Sequence, residues 1–488
     1  MRRPLSANFL LIYLFFISFS YAQVTLENVI DSYQDFKEKS IKNRRVKHHE
    51  LQPLINDYKS SSKFTITTVG KSIEGRKLSL ISLGSGDTNV FLWSQMHGDE
   101  STATMAIFDL LNFFKSVSYS EIKEPILEKL KIHFLPMLNP DGAERFQRRN
   151  SLGIDINRDA LRLQSPEAQT LKRVRDSLEA NYGFNLHDQS KYYNTFQNAE
   201  AATISFLAPA YNYQKSINDI RSNAMKLIAH MNDVLKEYAP GHIGKYNDDF
   251  EPRAFGDNIQ KWGTSTILIE SGGFIEDEEK QFIRKLNFIA ILSAFEAIAN
   301  EKFKTISLKK YREIPNNDKK LFDLKLSGFK YSLLGKTYTL DLGINNYEED
   351  IANNNDFYYR SSIEDQGDLS TYYGYLELDL EGYTYKKAAI YPKVIENLDA
   401  LGALNFEELL RQGYGYVRVK DILKHLKNIP YPIQVISTSF KTSDKLQPGK
   451  NIPFFLTQNN RIRYAIINGA VIDLVTGFNT FKNGLIIR

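Results

Sequence analysis

The chain has 488 residues, 62 of them basic and 58 acidic, with a net charge of +4 and no cysteine. At roughly 100–200 residues per domain this is too long for one ordinary core, and two domains are expected. Near-balanced charge without a long Lys/Arg block excludes a surface built to track a phosphate backbone, so nucleic acid is not an expected partner.

The chain opens with a basic start at Arg2 and Arg3, an apolar stretch from Phe9 to Phe19, and a small residue at Ala22 before Gln23. That layout predicts a secretory leader over residues 1–22, and the apolar stretch is shorter than the roughly 20 residues a membrane span needs. No later segment approaches that length, so no stable span is expected after cleavage. Export without a single disulfide fits a bacterial periplasmic or secreted protein. It also leaves His and carboxylates as the ligands for any metal.

Residues 24–60 read as a charged, helical lead-in. Strands are then predicted at "KFTITTVG", "KLSLISLG", "NVFLWSQMH", "KIHFLPMLN", "YGFNLHD" and "STILIES", with helices at 101–116, 120–130, 165–180, 213–238 and 276–300. This alternation predicts an α/β fold with a mixed, mostly parallel central sheet flanked by helices, the first strands being able to pair antiparallel. In such sheets binding groups collect beyond the carboxyl ends of the strands. The texture changes past residue 303. Residues 305–400 are rich in Tyr and Asn, "INNYEEDIANNNDFYYR" reads as a loop cluster, and the chain ends in β-like pieces such as "RYAIINGAVIDLVTG". The division expected is a catalytic domain over 23–303 and a smaller β-rich domain over 304–488, with short helices near 405–413 and 418–427.

Hydrolytic zinc needs three protein ligands and one open position. "MHGDE" offers two of them, His97 and Glu100, where a strand stops and a helix begins, and "FNLHDQ" offers His187 at the end of another strand. H-x-x-E is common by chance; company gives it weight. The remaining histidines, His48, His49, His133, His230, His242 and His425, read as ordinary satisfied side chains.

With these motifs in order the chain resembles the zinc carboxypeptidases of the pancreatic type, a family that also holds murein-peptide amidases and related deacylases. "GKSIEGRKL" looks like its opening motif, "MHGDE" its first zinc pair, and "LNPDG" the turn after its central strand. "RRNSLGIDINRD" matches its substrate-binding segment, "NLHD" its third ligand, and "STILIES" the strand with its glutamate. The resemblance implies one zinc per chain on His97, Glu100 and His187, and hydrolysis of C-terminal peptide bonds by a zinc-activated water with Glu270 as general base. It implies Arg148 at the oxyanion, Asn157 and Arg158 on the free C-terminal carboxylate of a peptide substrate, and Asp155 behind His97. Arg149 is the alternative to Arg148.

Two departures leave the substrate open. The place of the family's mobile tyrosine is unsettled, with Tyr246 the candidate, and Asp159 and Ala160 follow Arg158 where the family more often has Asn and an aromatic. Arg253 and Asp257 are the charged candidates for a specificity pocket. The alternative enzyme is a murein-peptide amidase or N-acyl amino acid deacylase on the same scaffold. A zinc-bearing binding module is a third reading, against which stands the presence of Glu270, for which a binding protein has no need.

Overall fold

The computed structural model describes residues 25–442 and 445–488; the expected leader lies outside them. The lead-in forms α1 (Leu26–Asp31), α2 (Tyr33–Phe36) and α3 (His48–Tyr58). There follow β1 (Thr65–Lys71), β2 (Lys77–Leu83), β3 (Thr88–Ser94), α4 (Thr102–Lys115), α5 (Ser120–Lys129), β4 (Leu130–Leu135) and α6 (Pro140–Glu144). Next come α7 (Pro166–Leu178), β5 (Tyr182–Asp188), β6 (Asn194–Thr195), β7 (Ile204–Leu207), α8 (Asp219–Leu235) and β8 (Ile243–Lys245). Helix α9 (Phe255–Lys261), β9 (Ser265–Ser271), α10 (Gln281–Ala299) and α11 (Leu308–Arg312) complete this part.

One eight-stranded sheet organises it, in the order β1-β2-β4-β3-β5-β9-β7-β8. Strands β4, β3, β5 and β9 run parallel in the centre; β1–β2, β2–β4 and β9–β7 pair antiparallel, and β8 pairs parallel with β7. The expected mixed, mostly parallel core is therefore present, with β7 and β8 added at an edge that the sequence did not disclose.

The central strands are apolar on both faces because both faces are covered. On β3, Val90 and Leu92 point into the core shared with α4, α8 and α10, whereas Phe91 and Trp93 point into the core shared with α7 and α9. Each such buried large side chain contributes roughly 1.5–3 kcal/mol. The same alternation puts Phe184, Leu186, Ile267 and Ile269 in the first core. Their neighbours His187 and Glu270 are thereby turned to the α7/α9 side, at the carboxyl ends of β5 and β9.

The lead-in is tied to the first core by a buried polar knot. Asp109 on α4 accepts from Arg284 Nε on α10 at 2.7 Å, from Tyr33 Oη at 2.7 Å and from the Glu38 backbone N–H at 2.7 Å. A buried carboxylate with a guanidinium and two further donors avoids the several kcal/mol that an unpaired buried charge costs. Tyr311 and Ile314 belong to the same core, so the packed unit runs past residue 303.

Strand β10 (Asn317–Asp318) pairs with β6 and leads into the β-rich part. Its strands are β11 (Leu321–Leu333), β12 (Lys336–Ile351), β13 (Asp356–Gly367), β14 (Tyr373–Asp379), β15 (Thr384–Lys387), β16 (Ala389–Ile390) and β17 (Ile395–Asn397). After α12 (Phe406–Gln412) come β18 (Tyr414–Asp421), β19 (Asn428–Ile429), β20 (Gln434–Ile436), β21 (Phe454–Gln458), β22 (Arg461–Ile467), β23 (Ala470–Asp473) and β24 (Gly484–Ile487). They form an eight-stranded and a six-stranded sheet, in keeping with the β-rich expectation.

Two local expectations are corrected. The "loop cluster" at 344–360 is a long antiparallel hairpin in which Asn345 pairs with Ser362 and Glu349 with Tyr358, and only residues 352–355 turn. Its Asn and Asp side chains lie largely outside a ladder whose backbone bonds do the holding. The helix expected at 418–427 begins instead as β18, because Val417 and Val419 are fully buried beside β20, where β-branched side chains pack well.

Candidate metal centre and active site

The first pair of candidate ligands is delivered by a sharp exit from β3. The strand ends at Ser94, Gln95 takes a left-handed backbone (φ 51°), and its side-chain amide donates to the Gly98 carbonyl at 2.9 Å, closing the turn. Gly98 must be glycine here: a Cβ would stand 2.1 Å from the Gly142 carbonyl carbon of α6. The turn thus presents His97 and Glu100 together, before α4 starts at Thr102. His187 arrives from β5, and Glu270 sits directly beside it in register on β9.

The structure brings His97, Glu100 and His187 together, their ligand atoms lying within 4.8 Å of one another. His97 Nδ1 is 2.8 Å from Glu100 Oε1, and His187 Nδ1 is 2.8 Å from Glu100 Oε2. The Asp188 backbone N–H also donates to Glu100 Oε2, at 3.1 Å. Behind His97, Asp155 Oδ1 lies 3.0 Å from Nε2, and the same oxygen accepts from the Asn157 backbone N–H at 3.0 Å. One carboxylate therefore fixes the His97 ring and caps the short turn Ile156–Arg158.

Electrostatics follow from burial and neighbours. Burial pulls the His97 imidazole down, but Glu100 and Asp155 outweigh it and push it up to about 9. For His187 burial wins and its imidazole is lowered, despite Glu100. Burial would raise Glu100 and Asp155, yet both are held well below the carboxylate range, Glu100 by the two histidines and Asp155 by His97, Arg148 and Arg158. Glu270 is driven the other way, well above its ordinary value, by burial and by the charge of Glu100. Two carboxylates with opposed ionisation in one site are the arrangement acid–base chemistry uses.

These residues fit a zinc ion. Two imidazoles and one carboxylate converging from separate strand ends form a donor set zinc takes at catalytic sites. A cationic group of the protein already reaches the same point: Arg148 Nη1 is 3.0 Å from Glu100 Oε1 and 3.1 Å from His97 Nδ1, while its Nε donates to Asp155 Oδ2 at 3.1 Å. His187 Nε2 is buried and has no hydrogen-bond partner among the described residues.

Of the two neighbouring arginines, Arg148 is the one in the cluster; Arg149 points away and donates to the Gly153 carbonyl at 2.9 Å. Asn157 Oδ1 accepts from the Phe255 N–H at 2.9 Å, which orients its amide. Arg158 is partly exposed, 3.6 Å from Glu251, and Glu251 in turn pairs with Arg253 at 3.1 Å. Asp159 plays no part in anion binding: buried, it accepts from the backbone of Gln164 and Ser165 at 2.9 and 2.8 Å. Burial together with Glu251 pushes Asp257 up to about 7, against an N–H bond from Glu251. Tyr246 packs edge-on to Tyr193 at 5.9 Å, and burial and the charge of Glu270 raise its hydroxyl.

The β-rich part forms one rim of this face. Asp323 accepts from Tyr192 Oη and Lys191 Nζ, each at 2.7 Å, on the loop after His187. Tyr375 Oη donates to the Lys191 carbonyl at 2.7 Å, and Lys482 Nζ reaches Glu278 at 3.0 Å on the loop after Glu270. The hairpin β12–β13 meets Arg45 through Phe357, Glu348 and Asp350, and Arg45 in turn stacks on Phe146. None of these contacts was visible in the sequence, where the partners are far apart.

Residues 54–238 match the family model of the zinc carboxypeptidases. That stretch holds every residue discussed above for the metal and the anion, and stops before Glu270. An uncharacterised protein of Zymomonas mobilis is 24% identical over 210 residues, covering 42% of this chain and 50% of that protein. Carboxypeptidase SOL1 of Arabidopsis thaliana is 26% identical over 196 residues, covering 33% of this chain and 40% of that one. The chain thus spans half or less of the length of these relatives. A solved metallo-carboxypeptidase from Burkholderia cenocepacia is matched at a TM-score of 0.43 and 16% identity, over 52% of this chain and 69% of that one. Among the described residues no helix is long and apolar enough to cross a membrane. In motif order, in the sheet that positions the motifs and in the match over residues 54–238, this part of the chain is similar to the zinc carboxypeptidases.

Proposed function

We propose that the protein is an exported, periplasmic or secreted, zinc-dependent carboxypeptidase that removes residues from peptide C-termini, with one zinc held by His97, Glu100 and His187. The observation that carries this reading is the in-register placement of Glu270 beside His187, which puts a proton-accepting carboxylate next to the three converging ligands.

Bound there, zinc supplies Lewis acidity toward the scissile carbonyl and the attacking water. Glu270 takes the proton of that water and hands it to the leaving nitrogen; its partly buried carboxyl, held above the ordinary range, suits a group that must both accept and give. Arg148, half-exposed and anchored through Nε and Nη2 on Asp155, carries Nη1 beside Glu100 and His97, where it meets the developing oxyanion. Arg158 receives the substrate's terminal carboxylate through paired N–H donors, and the Asn157 amide, fixed by Phe255, presents its remaining N–H₂ beside it. Asp155 keeps His97 in one orientation.

The test is elemental analysis of purified mature protein together with turnover of a panel of N-blocked dipeptides, with a murein tripeptide as a separate arm. About one zinc per chain and release of the C-terminal residue are expected. Zinc without trimming, but with cleavage of the murein amide, would move the assignment to the amidase.

A further inference from the structure

Arg45 lies in the lead-in, remote in sequence from every ligand, yet its guanidinium carbon stands 4.1 Å from the ring centre of Phe146 and 4.8 Å from that of Phe357. It is nearly fully buried. Among the described residues its charge is met from the β12–β13 hairpin: Nη1 donates to Asp350 at 2.8 Å and Nη2 to Glu348 at 3.1 Å. A guanidinium sandwiched between two rings and forked onto carboxylates is a rigid arrangement that lysine cannot reproduce.

What it presses on is unusual. Phe146 has a left-handed backbone (φ 46°), a conformation that a bulky non-glycine residue holds only when its surroundings over-determine it. Two residues later comes Arg148, whose carbonyl is bonded by Asn139 Nδ2 at 3.2 Å and whose guanidinium meets Glu100, His97 and Asp155. The Phe146 backbone, followed by the Gln147 N–H bonded to the Gly142 carbonyl at 2.9 Å, thus fixes the chain just before the group proposed to face the oxyanion.

We infer that Arg45 is a positioning residue for the reaction: clamped by Phe357 and the hairpin carboxylates, it holds Phe146 and so sets Arg148, making the β-rich part a working piece of the active site. This rests on the carboxypeptidase reading for its kinetic consequence, while the mechanical claim stands without it.

The test uses the full-length mature protein with Arg45→Lys and Phe357→Ala, Phe357→Tyr as the ring-retaining rescue, and each of the first two combined with Arg148→Ala. Amide hydrogen exchange in the metal-free proteins is expected to rise at residues 144–150 in Arg45→Lys and Phe357→Ala and to stay unchanged in β3, β5 and β9. On a blocked dipeptide, kcat is expected to fall about 10- to 100-fold, as small misplacements of a catalytic group do, with KM and zinc content held and Phe357→Tyr near wild type. In the Arg148→Ala background the same changes are expected to cost nothing further. Multiplicative losses in that background, exchange rising throughout the sheet, or no change at 144–150 would overturn the inference. If the wild type cleaves no dipeptide, the carboxypeptidase reading fails, and the exchange result still decides whether Arg45 holds this segment.

Discussion

His187 and Glu270 occupy paired positions on the parallel strands β5 and β9, so that one strand end delivers a candidate ligand and its neighbour a carboxylate outside the candidate ligand cluster. Glu100 bonds both histidines and is held ionised; Glu270, beside His187 in register, hydrogen-bonds neither among the described residues and is held toward its neutral form by burial and by Glu100. Glu270→Gln keeps shape and removes the proton acceptor. It is expected to lower kcat by roughly a hundred- to ten-thousand-fold, the range of a lost general base, while zinc content stays at that of the wild type. Loss of zinc in this variant would instead make Glu270 part of the metal site.

Asp155 divides its oxygens between His97 and Arg148. Carboxylates behind a ligating histidine typically raise metal affinity about 10- to 100-fold. Asp155→Ala is accordingly expected to bind zinc that much more weakly in competition with a chelator, whereas His187→Ala and His97→Ala lose stoichiometric zinc altogether. A wild-type zinc affinity in Asp155→Ala would show that its bond to His97 does no such tuning.

The cluster of His97, Glu100 and His187 was legible because these residues fall in short motifs at strand ends whose apolar runs are unmistakable. Strands β7 and β8 were not, since "ISFL" and "GHIGK" are too short to show a period. The β12–β13 hairpin was hidden by composition: Asn345, Asn346 and Glu349 read as loop formers, yet their backbone groups are spent in a ladder while most of their side chains meet solvent or polar partners. Asp159 looked like a third charge beside Asn157 and Arg158, but its carboxylate closes a loop at the start of α7, a role that spacing cannot reveal. The clamp on Phe146 joins residues from three distant segments, and no local pattern encodes it.

Arg158 has Glu251 3.6 Å away and is partly exposed, so it is pre-positioned without being neutralised. Arg158→Ala is expected to raise KM for N-blocked dipeptides about 10- to 100-fold, the worth of one charge-assisted contact, and to leave the slow cleavage of C-terminally amidated substrates unchanged. Equal losses on free-acid and amidated substrates would remove the carboxylate from Arg158.

His133, on β4, gives a stability prediction with a definite sign. It is buried, with Ser82 Oγ 2.7 Å from Nδ1 and Asn89 Oδ1 3.2 Å from Nε2, a pair that satisfies the neutral ring at both nitrogens. Burial, with Lys131 nearby, lowers it to about 4, against an ordinary value near 6.5 in the unfolded chain. Between those values the unfolded chain binds the extra proton and the folded one does not, so protonation favours unfolding. The contribution is complete above about pH 6.5 and is lost as pH falls toward 4, amounting to about 3 kcal/mol for a gap of this size. Carboxylate titration acts on the wild type and on His133→Asn alike, so the difference between them isolates the histidine. Urea unfolding at pH 7.5 and pH 4.5 is expected to show the wild type losing about 2–3 kcal/mol more than the variant over that interval. Parallel losses in the two proteins would mean that His133 titrates alike in the folded and unfolded chain.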